Sequence, residues 1–383
     1  MSHFEYPHKN SAGERQPCRE VPPSFDVRPG SGSIIVLSCR IENQLVALGF
    51  QRFRGAMKLR AIQAAILLGQ PVFSAQAAPL QYLTGAGDKA GPVVALTWGV
   101  LIVSIIVIFL ITGLLVAGIW RRRPLGIEST ALEKDEGGQN WLWIGVSLSA
   151  LVLFATVVWT VKVLADIQGA PGKPAMTIEV TGRQWWWQVR YIEKDGARGF
   201  ATANEIHIPA GQPVRLKLVG GDVIHSFWVP QLAGKMDAIP GQINETWIEA
   251  NAPGIYTGQC TEYCGVQHSK MLLRVVAQSA GDFRAWWAHQ LTPPAVAADG
   301  EFTEHCGGCH AVRGTDANGT MGPDLSHFMQ RRTIASGSLL NDAKTLASWI
   351  ADPQALKPGN KMPSVALSPD ERGRIVAWLR TLT

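Results

Sequence analysis

The chain has 383 residues, of which 46% are hydrophobic and 17% charged, and its formal net charge is +5. This length allows two or three domains, and the composition suits a protein with both soluble and membrane-embedded parts. Most of the excess of Lys and Arg lies in residues 1–77, so the charge gives no argument for nucleic-acid binding. The cysteines form three pairs in the sequence and do not suggest a disulfide framework: Cys18 with Cys39, Cys260 with Cys264, and Cys306 with Cys309.

The N-terminal part of the chain is expected to contribute nothing to a folded core. Residues 1–56 are polar and rich in Pro, Gly and Arg, so we interpret them as a disordered leader or an over-long translated start. Residues 57–77 have the pattern of a signal peptide: a basic start, an apolar run over 61–68 and Ala-Gln-Ala at 75–77. The pattern predicts export and cleavage after about Ala77; the alternative is a short buried helix.

Two apolar segments follow, and each is long enough to cross a bilayer, which needs about 20 residues of helix. They span residues 92–120 and 141–165, and three arginines at 121–123 follow the first segment. Because positive residues favour the cytoplasmic side, residues 92–165 predict a transmembrane helix hairpin. The exported N-terminus and everything after Asp166 would then lie outside the cytoplasm.

Residues 170–290 show short runs of alternating apolar and polar residues bounded by Gly and Pro. Val214, Leu216 and Leu218 alternate with Arg215 and Lys217, and this period of two predicts a β-sandwich. A short helix over 281–290 is expected to close the domain. Residues 291–300 are rich in Pro and Ala and predict a linker, which at about 3.1 Å per residue would let the next domain move.

A cluster of soft metal ligands lies inside this predicted sandwich. Cys260, Cys264, His268 and Met271 fall within one turn-rich stretch, and thiolate and thioether ligands suit copper. Two cysteines leave three alternatives: a disulfide, a zinc site, or two metal ions bridged by both sulfurs. The bridged copper pair is favoured because the first two alternatives leave Met271 without a role, and His225 is the candidate for a second histidine.

This cluster resembles the dinuclear copper centre of the cytochrome c oxidase subunit II family. The resemblance extends to Gly-Arg-Gln-Trp-Trp-Trp at 182–187 and Met-Asp-Ala-Ile-Pro-Gly at 236–241, and it covers most of residues 90–290. It implies a cupredoxin-like sandwich, a magnesium ion bound by the Glu262 side chain and shared with subunit I, and entry of electrons at Trp185. It also implies a set of copper ligands: His225, Cys260, Cys264, His268, Met271 and the backbone carbonyl of Glu262.

The last predicted domain, residues 301–383, is a small all-α cytochrome c domain. Cys306-Gly307-Gly308-Cys309-His310 is the attachment signature of a covalently bound haem c, with His310 as an axial ligand. We predict Met362 as the sixth ligand; Met321 and Met329 are the alternatives. His305 and His327 are expected at the surface. Ser368, Pro369 and Glu371 predict a capped closing helix.

Together these features predict subunit II of a proton-pumping cytochrome c oxidase. The chain would accept electrons from an external cytochrome c through its haem and the dinuclear copper centre, and would pass them to the oxygen-reducing site of subunit I. The expected partners are subunits I and III and the lipid bilayer of a bacterial inner membrane, with both soluble domains on the periplasmic side. The alternative is a periplasmic copper-delivery or redox-sensing membrane protein. A quinol oxidase subunit is disfavoured by Cys260 and Cys264, and a nitrous oxide reductase by the two membrane helices.

Overall fold

The computed structural model describes residues 81–121, 138–193 and 198–383. The predicted leader, the signal peptide and the pair Cys18 and Cys39 lie outside these residues. Within the described part, the multidomain architecture expected from the sequence is confirmed: two long helices, a β-sandwich and a small helical region follow one another along the chain.

The two apolar segments form helices α1 (Ala90–Trp120) and α2 (Gly138–Gln168). Both are long and apolar enough to cross a membrane, and their apolar side chains are exposed along almost the whole length. α1 and α2 pack against each other. Exposed apolar surface on this scale marks contact with a membrane or with another protein, and together with the length of the helices it makes α1 and α2 the two candidate membrane spans of the predicted hairpin.

The outer end of the hairpin is bonded to the β-sandwich. The backbone N–H of Asn251 donates to Ala86 O at 2.9 Å, and Trp247 Nε1 donates to Ile167 O at 3.2 Å. Lys89 is buried, and its Nζ donates to Thr246 Oγ1 at 2.5 Å. Both helices are therefore tied to the sandwich where they leave the predicted membrane.

The β-sandwich consists of two five-stranded sheets, ordered β3-β2-β1-β5-β8 and β4-β10-β9-β6-β7. The pairs β1–β5 and β4–β10 are parallel, and the other pairs are antiparallel. The strands are β1 (Thr177–Arg183), β2 (Trp186–Ile192), β3 (Arg198–Ala203), β4 (Glu205–Pro209), β5 (Val214–Gly220), β6 (His225–Trp228), β7 (Met236–Ala238), β8 (Ile243–Ile248), β9 (Gly254–Cys260) and β10 (Leu272–Gln278).

The period of two in the sequence is the physical origin of these sheets. Along β5 the side chains of Val214, Leu216 and Leu218 are fully buried, and those of Arg215 and Lys217 lie on the other face. Apolar residues on alternate positions all reach the inner face of a strand, and their burial drives the two sheets together. Helix α3 (Ala280–Leu291) then covers one end of the sandwich.

The helical domain contains α4 (Gly300–His305), α5 (Ala343–Ala351), α6 (Pro353–Leu356) and α7 (Pro369–Leu379), with a two-stranded hairpin of β11 (Thr333–Ile334) and β12 (Leu339–Leu340). The capping box predicted for the closing helix is confirmed: Ser368 and Glu371 bond to each other's backbone N–H groups. Ile375, Val376 and Leu379 of α7 are buried in the core of this domain.

The segment predicted as a mobile linker is bound along its length. Trp378 Nε1 donates to Ala297 O at 3.0 Å, and Val296 packs on the core of the helical domain. At the start of the segment, Arg313 Nη2 donates to Gln290 O at 2.5 Å. Its Pro and Ala content indicated an extended chain, but only the fold places carbonyl and apolar partners beside it.

Candidate metal and haem sites

The predicted metal ligands converge at one end of the sandwich. Cys260 Sγ lies 3.8 Å from Cys264 Sγ and 3.9 Å from His225 Nδ1. Cys264 Sγ lies 3.5 Å from His268 Nδ1 and 3.9 Å from Met271 Sδ. Both thiols are free, and 3.8 Å is far beyond the roughly 2.05 Å of a disulfide bond. The arrangement is therefore a set of soft donors around two sulfur atoms.

Strand pairing explains how these residues meet. Cys260 ends β9 and Met271 directly precedes β10, so the loop between them closes an antiparallel pair. The backbone N–H of Cys260 donates to Met271 O at 2.9 Å. His225 begins β6, whose Phe227 is paired with Cys260. Neighbouring strands thus bring His225 to the loop across 35 positions of sequence.

The His225 imidazole is held from two further sides. Its Nε2 bonds to Asp222 Oδ1 at 2.8 Å, which leaves Nδ1 to face Cys260. Gly182 of β1 lies behind the ring, and a Cβ added at this glycine would be 2.7 Å from the ring's Cδ2. A carboxylate on the second nitrogen is the usual way to orient a metal-binding histidine. Asp222 was not selected from the sequence, although its position three residues before His225 was a usable signal.

The pKa shifts of the two thiols are those expected of a cation-binding site. Cys260 has a lowered pKa because of its hydrogen bond with Cys264, and His225 adds to the shift. The same contact raises the pKa of Cys264. Two thiolates at this separation repel each other, so the pair retains a proton unless a positive ion binds between or beside them. The donor set and its charge therefore fit copper.

The backbone carbonyl and the side-chain carboxylate of Glu262 lie in different surroundings. Its backbone carbonyl oxygen lies 3.2 Å from Cys260 Sγ, within the donor cluster. Its side chain is 45% exposed, and Oε2 is 4.0 Å from Lys235 Nζ. The carbonyl is therefore available to the cluster, while the carboxylate remains available to a ligand outside the chain.

A cavity of about 490 Å³ lies where the helical domain faces the sandwich, beside the predicted haem attachment residues. His310 Nδ1 bonds to Pro323 O at 2.9 Å, so Nε2 is the ring nitrogen left for an axial bond. Gly322 backs the ring, since an added Cβ would lie 2.5 Å from His310 Cε1. The thiols of Cys306 and Cys309 line the same cavity, so its residues fit a covalently bound haem.

The candidate sixth ligands separate by position. Met362 and Met321 both line the cavity, and Met329 is not among its lining residues. Met321 is 70% exposed, whereas the Met362 loop is fixed by Gln354 Nε2, which donates to Met362 O at 2.9 Å. The geometry therefore favours Met362. His327, expected at the surface, is buried instead, because its two ring nitrogens contact Thr292 O and Thr383 O.

Trp185 lies between the two sites. Its side chain is only 8% exposed, its Nε1 donates to Cys264 O at 3.0 Å, and it also lines the cavity of the helical domain. A Cβ added at Gly359, in the helical domain, would lie 3.7 Å from the Trp185 ring. The indole thus contacts the loop of residues 260–271, called the metal loop below, on one side and the helical domain on the other.

Comparisons with known proteins agree with this geometry. Residues 191–279 match the family described as cytochrome C oxidase subunit II, periplasmic domain, and residues 297–383 match cytochrome c. The cytochrome c oxidase subunit 2 of Alkalihalophilus pseudofirmus is 35% identical over 77% of this chain and 90% of its own length. The chain belongs to the cytochrome c oxidase subunit 2 family. The subunit 2 of Bacillus sp. strain PS3 is 32% identical over 63% of this chain and 73% of its own length.

Among solved structures, the periplasmic domain of subunit II of cytochrome oxidase from Bradyrhizobium japonicum is 32% identical. The matched region covers 32% of this chain and 96% of the solved domain, with a TM-score of 0.29. Membership of the subunit 2 family implies a copper centre in the β-sandwich, which is cupredoxin-like, and the cytochrome c match implies a haem in the helical domain. The family and the two apolar helices identify a membrane-anchored chain.

Proposed function

We propose that this chain is the electron-input subunit of a proton-pumping cytochrome c oxidase. It accepts electrons from an external cytochrome c through its own haem c and a dinuclear copper centre, and it delivers them to the oxygen-reducing site of subunit I. The observation that supports this best is the donor cluster, in which two free thiols 3.8 Å apart are flanked by the His225 and His268 imidazoles and the Met271 thioether.

Each group of residues has a defined role in the proposal. The dinuclear copper centre would be held by His225, Cys260, Cys264, His268, Met271 and the carbonyl of Glu262. Cys306 and Cys309 would attach the haem, and His310 and Met362 would hold its iron. Bound there, copper and haem supply reversible one-electron chemistry. Trp185 would be the point where electrons enter the copper site, and the exposed Glu262 carboxylate would bind a magnesium ion shared with subunit I.

The surroundings of the chain follow from the same proposal. The hairpin of α1 and α2 would lie in a bacterial inner membrane against subunits I and III, with both soluble domains in the periplasm. No described residue group offers a second histidine-rich site for oxygen, so reduction of oxygen belongs to subunit I. A periplasmic copper-delivery or redox-sensing protein is the second candidate, since it could use the same thiol pair without passing electrons onward.

The test is the metal content and electron paramagnetic resonance spectrum of the assembled, membrane-extracted complex. The proposal expects one haem c and two copper ions per chain, with one unpaired electron shared by both coppers. The haem must also be oxidised by the copper centre after rapid reduction. One copper ion or none, or a haem that never passes its electron on, would favour the delivery or sensing function instead.

A further inference from the structure

A lysine is buried where the helical domain meets the β-sandwich. Lys357 is 3% exposed, and its Nζ donates to three backbone carbonyls: Trp185 O at 2.8 Å, Lys270 O at 2.9 Å and Ala335 O at 3.2 Å. Two of these carbonyls belong to the sandwich, and the third belongs to the helical domain. One side chain therefore bonds both domains at once.

The N–H donors of this lysine are all matched by acceptors. Lysine is almost never fully buried unless it is paired, and an ammonium group has three N–H donors. All three are used here, and no carboxylate is among the hydrogen-bond partners that the structure shows for Nζ. Burial lowers the pKa of Lys357 to about 7, with the nearby Lys270 charge adding to the shift. Burying an ammonium group costs free energy, and here the bonds that offset this cost join two domains.

The segment on either side of Lys357 rests on the metal loop. Gln267 Nε2 donates to Pro358 O at 2.7 Å, and Lys270 Nζ donates to Leu356 O at 3.1 Å. Four residues further on, Lys361 Nζ lies 3.2 Å from Asp222 Oδ2, the carboxylate that orients His225. The loop that leads to Met362 thus contacts the same residues that shape the donor cluster.

A second contact comes from the β11–β12 hairpin, whose carbonyl at Ala335 accepts from Lys357. Ala335 and Ser336 have φ values of 51° and 60°, in a left-handed region that non-glycine residues occupy only when surrounding contacts require it. Those contacts are with the sandwich: Leu272 N donates to Ser336 O at 3.0 Å, and Ser336 Oγ donates to Leu272 O at 3.0 Å. The left-handed conformation of Ala335 and Ser336 is therefore held by contacts with β10, the strand that follows Met271.

We infer that Lys357 is a positioning residue for electron delivery, which fixes the helical domain over Trp185 and makes that domain the donor at this surface. External cytochrome c then reaches the haem but not Trp185. This inference rests on the proposed function, because it concerns the path between its two cofactors. In this inference, Lys357 sets how the loop that carries Met362 lies against the metal loop.

The first experiment measures hydrogen exchange of the assembled complex carrying Lys357→Met. This change keeps most of the apolar length and removes the three donors. Exchange of the Leu272 and Arg332 amides, which bond to Ser336 and Glu205 across the boundary, should rise about tenfold or more, the equivalent of one lost bond to a charged group. Exchange in α7 should not change. Lys344→Met, on the exposed start of α5, is the matched control and should alter neither.

The second experiment follows the electron that leaves the reduced haem for the oxidised copper centre after flash reduction. In the wild type and in Lys344→Met we expect one exponential phase that does not depend on viscosity. Lys357→Met should add a slower, viscosity-dependent phase, because the helical domain must first return to its position over Trp185. Should Lys357→Met fail to assemble, Lys357→Gln keeps two amide donors and should show smaller changes in the same direction.

Three results would overturn the inference. Exchange that stays unchanged at Leu272 and Arg332 means that Lys357 does not hold the boundary, and exchange that rises equally in α7 means that it only stabilises its own domain. A looser boundary with unaltered electron transfer means that the position it sets is not needed for delivery. A wild-type complex that transfers no electron from haem to copper refutes the proposed function itself, whatever the exchange data show.

Discussion

Replacing Gly182 with alanine tests the copper-site geometry with a single methyl group. The new Cβ would lie 2.7, 2.8 and 2.9 Å from Cδ2, Cγ and Cβ of His225. Carbon atoms in contact are normally about 3.5–4.0 Å apart, so ring or strand must retreat by roughly 0.8 Å. Gly182 has an ordinary negative φ, so alanine adds no backbone strain and only this contact is perturbed.

The ring has little room to retreat. Its Nε2 is bonded to Asp222 at 2.8 Å, and it also meets the ring of Trp187, the cross-strand partner of Gly182, in an edge contact with centroids 5.9 Å apart. Overpacking of this kind costs about 1–3 kcal/mol of stability. Because a shift of the ring also moves Nδ1, the nitrogen proposed as a copper ligand, we expect copper affinity to fall about 10- to 100-fold, as for loss of a group that orients a metal ligand.

The assay is retention of copper by the purified complex against increasing concentrations of a competing chelator, followed by the mixed-valence signal. Gly234→Ala is the matched control, since an added Cβ there meets nothing within 4 Å. The haem spectrum of both variants should stay the same. Equal copper retention in Gly182→Ala and Gly234→Ala would show that His225 is not held by this contact or is not a ligand.

Three further variants address single roles. Cys264→Ser should abolish the mixed-valence copper signal in paramagnetic resonance and leave haem attached; a surviving signal would contradict its assignment as a ligand. Met362→Ala should change the haem absorption spectrum and leave copper content intact, whereas a retained methionine signature would assign the sixth ligand to Met321. Gly322→Ala, with a Cβ 2.5 Å from His310 Cε1, should weaken the axial bond and destabilise the helical domain by about 1–3 kcal/mol, measured by thermal unfolding followed at the haem band. An unaltered midpoint would mean that the imidazole can move aside freely.

The sequence predicted those parts of the molecule whose signal is local. The predicted ligands from Cys260 to Met271 share one loop, and the capping box at Ser368 and Glu371 spans four residues, so spacing alone was informative. His225 was found only because its chemistry completed the local cluster. The alternation along β5 predicted the sandwich for the same reason, since the period of a strand is visible within a few residues.

What the sequence did not reveal depends on contacts between distant segments. Asp222 became significant only when β6 placed its carboxylate on His225, and Lys357 only when its ammonium met Trp185 across 172 positions. The β11–β12 hairpin was missed as well, because left-handed residues such as Ala335 follow from the surface they fit and not from their own preference. The contacts of the linker after α3 were not predicted for a related reason, because their partners, Arg313 and Trp378, lie later in the chain.

The seating of the helical domain over Trp185 also bears on how the chain meets its donor. Trp185 is only 8% exposed, and residues of the helical domain such as Lys357 and Gly359 contact it, so it offers little surface to a diffusing cytochrome. Dissolved salt screens charges on the outer face of the helical domain but hardly affects groups buried between the two domains. Under the proposed function, capture of an external donor and delivery to copper would be separate steps, and ionic strength would affect the first while leaving the second unchanged.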